Sequence, residues 1–326
     1  QKNYLTMRFK KFTSIAFLLL ITAFVSFKVQ AQPQAVGEPQ ILLIQDGVNF
    51  QAPVWSPDGN TLAVTADRYV GIWLANADGS NLKQLTDADA GYGMNWSNDS
   101  RSILTRVNVF ENRRRNHAIS IFHTDGSAPD QITDFRPTME ALPKWAQYGE
   151  KVVLIQNDKI EAFDSGMEMP QQFKSKPSQA FYVLKSNEIA KGKIPTNSTE
   201  NISPFDDAQY LNLEVSPDGQ KLAFEVYGGN LYVMNVDGSN LVDLGKANRP
   251  DWSPDSRYVV ASVSEDDGYN ITKGDLFAFS IDGNEKVNLT EQSGLIAQNP
   301  NWSPDGSKIA FDVPTEGAIY VLNIQQ

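Results

Sequence analysis

Short apolar runs recur along the chain at nearly regular intervals, each set off by a polar turn. Leu62-Ala63-Val64, Ile103-Leu104, Val152-Val153-Leu154, Leu222-Ala223-Phe224, Val259-Val260-Ala261 and Ile309-Ala310-Phe311 have the length of strands. Ahead of three of them stands the same turn: Ser56-Pro57-Asp58-Gly59, Ser216-Pro217-Asp218-Gly219 and Ser303-Pro304-Asp305-Gly306. Ser253-Pro254-Asp255-Ser256 and Ser97-Asn98-Asp99-Ser100 are looser copies, and Ala146-Gln147-Tyr148-Gly149 is a worn sixth. Pro presets φ near −65°, Asp tolerates the next position, and Gly accepts the left-handed backbone of a tight reversal. Trp55, Trp96, Trp145, Trp252 and Trp302 each precede a turn, and Val215 fills the sixth slot. Successive motifs are 41, 49, 70, 37 and 50 residues apart, steps that mostly suit four strands with their turns.

Further runs complete the unit. Ile72-Trp73-Leu74, Ile119-Ser120-Ile121, Leu231-Tyr232-Val233 and Leu276-Phe277-Ala278 read as third strands, followed by turns at Asp78-Gly79, Asp125-Gly126, Asp237-Gly238 and Asp282-Gly283. Gln84-Leu85-Thr86, Gln131-Ile132-Thr133 and Asn288-Leu289-Thr290 end the fourth. The unit Trp-Ser-Pro-Asp-Gly, Leu/Ile-Ala-Phe, Tyr-Val-Met/Leu-Asn, Asp-Gly, Asn-Leu-Thr resembles the WD-like repeat of TolB-type six-bladed β-propellers. The resemblance implies an all-β ring of six four-stranded antiparallel blades over residues 40–326, after a short linker at residues 32–39. It also implies docking onto envelope proteins.

The last unit stops after Ile319-Tyr320-Val321-Leu322, one strand short. Gln40–Gln45 keeps the spacing before Trp55 that Asn81–Thr86 keeps before Trp96, so the N-terminal segment is expected to close the last blade. The 70-residue step after Trp145 is harder to divide. Ala180–Leu184 is the favoured third strand there and Ile160–Phe163 the alternative, with Asn201-Ile202-Ser203 as the fourth.

Composition narrows the function. The formal charge is −11, and the first 31 residues hold five basic residues and no acidic one, so the remainder carries −16. That argues against nucleic acid as a partner. The absence of cysteine excludes disulfides, thiolate zinc, a cysteine nucleophile and an acylated lipoprotein cysteine. Arg8, Lys10 and Lys11, the apolar stretch Ile15–Val25, and Val29-Gln30-Ala31 before Gln32 form the three parts of a secretory signal, residues 1–31, starting at Met7. A periplasmic or secreted monomer with no membrane span after cleavage is expected.

The turns are alike from unit to unit and read as structural; the loops on the opposite face vary, as recognition loops do. Candidate binding residues there are Phe110, Arg113, Arg114, Arg115, Tyr92, Arg136, Tyr210 and Tyr269. The bland reading of Arg113 to Arg115 is a solvated loop offsetting a negative protein, and that of the motif Trp residues is packing between blades. Asp87, Asp89, Glu265, Asp266 and Asp267 could hold calcium, but no EF-hand spacing is present, so no cofactor is expected. His117 and His123 lie six apart without the spacing of a zinc protease, and no G-x-S-x-G elbow occurs. A non-enzymatic scaffold binding envelope or secreted proteins, or a small ligand or glycan at the channel mouth, is the leading reading. A polysaccharide lyase or glycoside hydrolase using channel carboxylates is the alternative.

Overall fold

In the computed structural model the apolar runs become strands whose two faces are both covered. The model describes residues 31–325 apart from residues 112, 158, 170, 172, 173, 175–179, 186 and 197. All but the last residue of the expected signal segment lies outside them. Regular structure among the described residues consists of strands and short 3-10 turns.

Blade 1 holds β2 (Phe50–Trp55), β3 (Thr61–Ala66), β4 (Val70–Asn76) and β5 (Lys83–Asp89). Blade 2 holds β6 (Asn95–Trp96), β7 (Ser102–Glu111), β8 (Arg114–His123) and β9 (Asp130–Gln131). Three strands make blade 3: β10 (Lys144–Ala146), β11 (Lys151–Gln156) and β12 (Lys159–Asp164). Blade 4 also has three: β13 (Ala180–Lys185), β14 (Glu188–Lys193) and β15 (Thr199–Asn201). Blade 5 is β16 (Tyr210–Val215), β17 (Lys221–Val226), β18 (Leu231–Asn235) and β19 (Val242–Gly245). Blade 6 is β20 (Asn248–Trp252), β21 (Tyr258–Asp266), β22 (Ile271–Ser280) and β23 (Lys286–Asn288). Blade 7 combines β24 (Gln298–Trp302), β25 (Lys308–Val313) and β26 (Ala318–Gln325) with β1 (Gln34–Leu43) on its outer edge.

The sheets stack in sequence order around an axis. Apolar clusters sit between blades 7 and 1 (Phe50, Ile319), 1 and 2 (Ile72, Ile103), 2 and 3 (Ile121, Val152), and 3 and 4 (Ile155, Phe181). Others sit between blades 4 and 5 (Ile189, Phe224), 5 and 6 (Val233, Val259), and 6 and 7 (Leu276, Phe311). Each second strand is therefore apolar on both sides, which is why Leu62, Ala63 and Val64 are all fully buried.

The ring thus has seven modules among the described residues, where the motif count gives six. The missed one is blade 4, which has neither Trp nor Ser-Pro-Asp-Gly. Its bonds identify its strands. Ile202 N donates to Ile189 O, and Ile189 N to Ser203 Oγ. The same pair of bonds joins Ile119 to Ile132 and Thr133, and Leu276 to Leu289 and Thr290. So β13 to β15 match the second to fourth strands of the other blades. Ala180–Leu184 belongs to this extra blade, and the alternative, Ile160–Phe163, is the third strand of blade 3.

The repeated turn is self-bonded. Ser56 Oγ donates to Asp58 Oδ1 at 2.6 Å, Asp58 Oδ1 accepts from Asn60 N, and Ser56 Oγ accepts from Thr61 N. The network recurs at Ser97, Ser216, Ser253 and Ser303. Ring closure is as expected, through β1 on β26, although the strand begins at Gln34, within the expected linker.

A polar channel and a cationic pocket at its mouth

The innermost strands surround an axial cavity of about 650 Å³. Four of them share a device. A β-bulge places Ala52, Asn212, Arg249 and Asn299 at φ 50°, 48°, 58° and 47°. The residue just before each motif position then faces the cavity: Val54, Asn95, Lys144, Glu214, Asp251 and Asn301. Their backbone and side chains also tie neighbouring blades. Trp96 Nε1 donates to Val54 O at 3.1 Å, Trp145 Nε1 to Asn95 O at 3.0 Å, and Trp252 Nε1 to Glu214 O at 3.3 Å. Trp302 N donates to Asp251 Oδ2 at 2.6 Å, and Trp55 N to Asn301 Oδ1 at 2.7 Å. The motif Trp residues thus pack between blades, as the bland reading has it.

Two carboxylates that line the channel, Glu214 and Asp251, and two buried behind its wall, Glu225 and Asp312, are held toward their neutral form. Burial pushes Asp251 up to about 7, against the Trp302 N–H and with the Glu214 charge adding to the rise. Glu214 opens onto the channel yet has protein on every side; this confinement raises its pKa, opposed by Lys144. Burial also raises Glu225, whose Oε1 accepts from Asn212 Nδ2 and Arg249 N. Asp312 is pushed up to about 7 by burial and accepts from Ala52 N at 3.3 Å.

A raised carboxyl pKa stabilises the fold below the unfolded value near 4, and that contribution is lost as pH rises through about 7. Asp251→Asn should therefore raise stability at pH 8 and leave it nearly unchanged at pH 4.5. Asn301 shows that an amide in this slot accepts the neighbouring Trp N–H. Each pKa unit corresponds to ~1.4 kcal/mol. Because the side chain is partly open to the channel, the gain should be about 1–2 kcal/mol. Melts of both proteins at the two pH values measure it; equal gains at both would show that the charge is not the cause.

At the loop-face mouth, blades 1 and 2 form a second pocket of about 220 Å³, lined by Arg68, Tyr69, Asp89, Tyr92, Arg106, Asn108 and Arg115. Its backbone is tightly placed. Gly91 N donates to Tyr69 O at 2.8 Å, and a Cβ on Gly91 would fall 1.9 Å from Thr65 Oγ1. Tyr69 meets Tyr92 edge to face at 4.9 Å, and the Arg106 guanidinium lies 5.3 Å from the Tyr92 ring centre. Arg115 Nη2 donates to Asp89 Oδ2 at 3.1 Å, and Asn108 Nδ2 to Asp89 Oδ1 at 2.8 Å. The Asn108 amide oxygen then faces His117 Nδ1 at 2.6 Å, so that nitrogen carries the proton. Burial, then the Arg106 and Arg115 charges, holds His117 below its usual pKa.

The candidate residues separate on this frame. Tyr92 and Arg115 line the pocket. Phe110 is 74% exposed and Arg113 stands at the tip of the β7–β8 hairpin with φ 63°, with Arg114 exposed beside it. Tyr269 is 95% exposed between β21 and β22. Arg136 pairs with Glu161 of blade 3 at 2.8 Å, and its backbone bridges His117. Tyr210 is a correction. It opens the inner strand β16 and packs with Ile189 and Phe224 between blades 4 and 5, so it is 2% exposed, and its hydroxyl donates to Phe205 O at 2.8 Å. Arg68, Tyr69, Arg106, Glu214 and Asp251 were not among the candidates. A signal for Arg106 existed: like Glu225 and Asp312, it interrupts the apolar run of a second strand. In the acidic loop, Asp266 accepts from Gly268 N and Asp267 from Tyr269 N and Asn270 N. No group of three or more His, Asp and Glu able to hold a metal ion occurs among the described residues.

No family model matches the chain, and no curated protein sequence matches it. Solved structures do. A protein described as TolB from Agrobacterium tumefaciens has TM-score 0.56 and 17% identity, covering 88% of this chain and 94% of that one. The Cps50 (Swd1) β-propeller domain of Myceliophteria thermophila has TM-score 0.59 and 12% identity over 88% and 100%. A chain of the mitotic checkpoint complex has TM-score 0.59 and 15% identity over 93% and 100%. At such identities the likeness shows the fold: a TolB-like, WD-like β-propeller.

Proposed function

We propose that this chain is an exported, non-enzymatic binding scaffold of the bacterial cell envelope or exterior. It engages an envelope or secreted partner through the hairpin face of its propeller. The observation that carries the reading is the contrast between the two faces. The turn face is uniform and bonded to itself. The other face carries two extended hairpins, β7–β8 and β21–β22, which hold out Phe110, Arg113, Arg114 and Tyr269. Exposed aromatic and arginine side chains are the common anchors of protein interfaces. Export rests on the three-part pattern of residues 8–31. No helix among the described residues is long and apolar enough to cross a membrane. The WD-like neighbours, one from a multi-protein complex, favour a scaffold by analogy.

The test is capture from envelope extract with wild-type protein and with a Phe110→Ser/Arg113→Ser/Tyr269→Ser variant. All three sites are exposed, so the melting temperature should stay within about 2 °C. The variant should lose the specific partner, whereas Asn98→Ala on the turn face should keep it. Retention of every partner by the triple variant removes the hairpins from the reading.

One observation favours the enzyme reading: Glu214 and Asp251 both line the channel, and the Glu214 charge adds to the rise of Asp251. Turnover of a plant or bacterial polysaccharide that disappears in Asp251→Asn and Glu214→Gln would establish it.

A further inference from the structure

The mouth pocket between blades 1 and 2 holds more positive charge than the protein itself neutralises. Three guanidinium groups, of Arg68, Arg106 and Arg115, line it with a single carboxylate, Asp89. Asp89 is already engaged by Arg115 and Asn108. Arg106 is half-buried, yet its Nε has no hydrogen-bond partner, and its contact with Tyr92 is to the ring. A donor in that position costs free energy until an acceptor arrives. The excess is out of character for a chain of net charge −11.

The turn that carries Arg68 adds an independent sign. Arg68 and Tyr69 connect β3 to β4 with φ of 59° and 61°. Two successive positive φ angles in a short hairpin suit Asn-Gly. Arg-Tyr there is locally unfavourable, because a Cβ crowds the backbone at positive φ. The strained pair delivers a cation and an aromatic ring to the same pocket.

We propose that this pocket is an anion subsite that takes a monoanionic carboxylate on an organic stem. The carboxylate meets Arg68 and the Arg106 guanidinium, while the stem lies against Tyr69 and Tyr92. Guanidinium groups bind carboxylate and phosphate through paired donors. What favours an organic carboxylate over inorganic phosphate is the stem, which covers the Tyr69 and Tyr92 rings where phosphate places nothing. The pocket opens toward the axial cavity, which shares Tyr69, Tyr92 and Arg106 with it, so a longer stem has somewhere to go. The assignment deepens the scaffold reading by giving its hairpin face a ligand chemistry.

The test is titration of the purified protein with phenylacetate, phenylacetamide, inorganic phosphate, and a short peptide with a free or amidated C terminus. Binding is followed through the Arg side-chain Nε–H resonances. Phenylacetate should shift Arg106 saturably and phenylacetamide should not. Arg106→Gln should weaken phenylacetate at least tenfold, and Arg68→Asn, which suits its positive φ and is exposed, at least threefold. Arg101→Ser, exposed on the turn face, should leave the affinity unchanged. A free-terminus peptide binding tighter than phenylacetate supports the site with a chain end as the source; the reverse order supports it with a small acid. The proposal is overturned if the amide binds as well as the acid, if phosphate binds tighter than every carboxylate, or if Arg68→Asn and Arg106→Gln both bind as wild type. No partner protein enters this titration, so its failure leaves the scaffold reading standing. A failed capture likewise leaves the pocket standing.

Discussion

Removing residues 32–46 should lower the melting temperature by roughly 10 °C or more. The loss has several parts, all on one strand. β1 pairs with β26 from Gln34↔Gln325 to Leu43↔Ile319, so its deletion strips the ladder from the outer edge of that strand. Leu43 is 3% exposed and packs with Phe50, Trp55 and Ile319 between blades 7 and 1. Losing a buried Leu alone costs ~3 kcal/mol, and several ladder bonds add ~0.5–1.5 kcal/mol each. Gly79 of blade 1 also rests on this segment, where a Cβ would fall 2.4 Å from Leu42 O. The deletion therefore opens the ring at a seam and exposes an apolar edge to other molecules. Calorimetry and light scattering would show an early, aggregating transition. A melt within about 2 °C of wild type would mean that the ring does not depend on this strand.

Trp252→Ala should destabilise by ~3–5 kcal/mol, the range for truncating a buried aromatic. Trp252 is 4% exposed in the cluster of Ala223, Val233 and Val259, so its removal leaves a void between blades 5 and 6. Its indole N–H also reaches across to Glu214 O. Conservative replacements separate the two contributions. Trp96→Phe loses the bond to Val54 O, whereas Trp55 Nε1 is buried without a partner, so Trp55→Phe sacrifices no bond. The first should cost about 1 kcal/mol more than the second in denaturant melts. Equal costs would show that packing alone accounts for the motif Trp.

The same residues explain what could be read in advance. Ser-Pro-Asp-Gly and the Trp before it report a fixed backbone geometry, so five blades announce themselves and a sixth shows a worn turn behind Trp145. Blade 4 escapes because the sequence ahead of β13 carries neither the Trp nor Ser-Pro-Asp-Gly. Ala180–Leu184 and Asn201–Ser203 read as strands, but that they form a blade of their own shows only in the bonds of Ile189, Ile202 and Ser203 once the sheet is formed. Exposure was legible for Phe110 and Tyr269, which lie between long alternating strands. Tyr210 misled because it read as part of a joining segment, whereas it begins β16 and its hydroxyl bonds the Phe205 backbone. Arg106 and Asp251 are functional candidates only because the bulged inner strands and the ring bring them to one axis. That depends on partners hundreds of residues away, such as Asp312 to Ala52.

Gln34 and Gln325 lie opposite each other in blade 7, and the bonds around them show where. Ile324 N donates to Ser307 O, just beyond the Ser303–Gly306 turn, and Gln32 reaches Glu285 beside the Asp282-Gly283 turn. Gln34 and Gln325 therefore lie together on the underside of the ring. A surface or label joined there would leave Phe110, Tyr269 and the Arg68 pocket pointing outward, so an immobilised molecule presents its recognition side without further orientation.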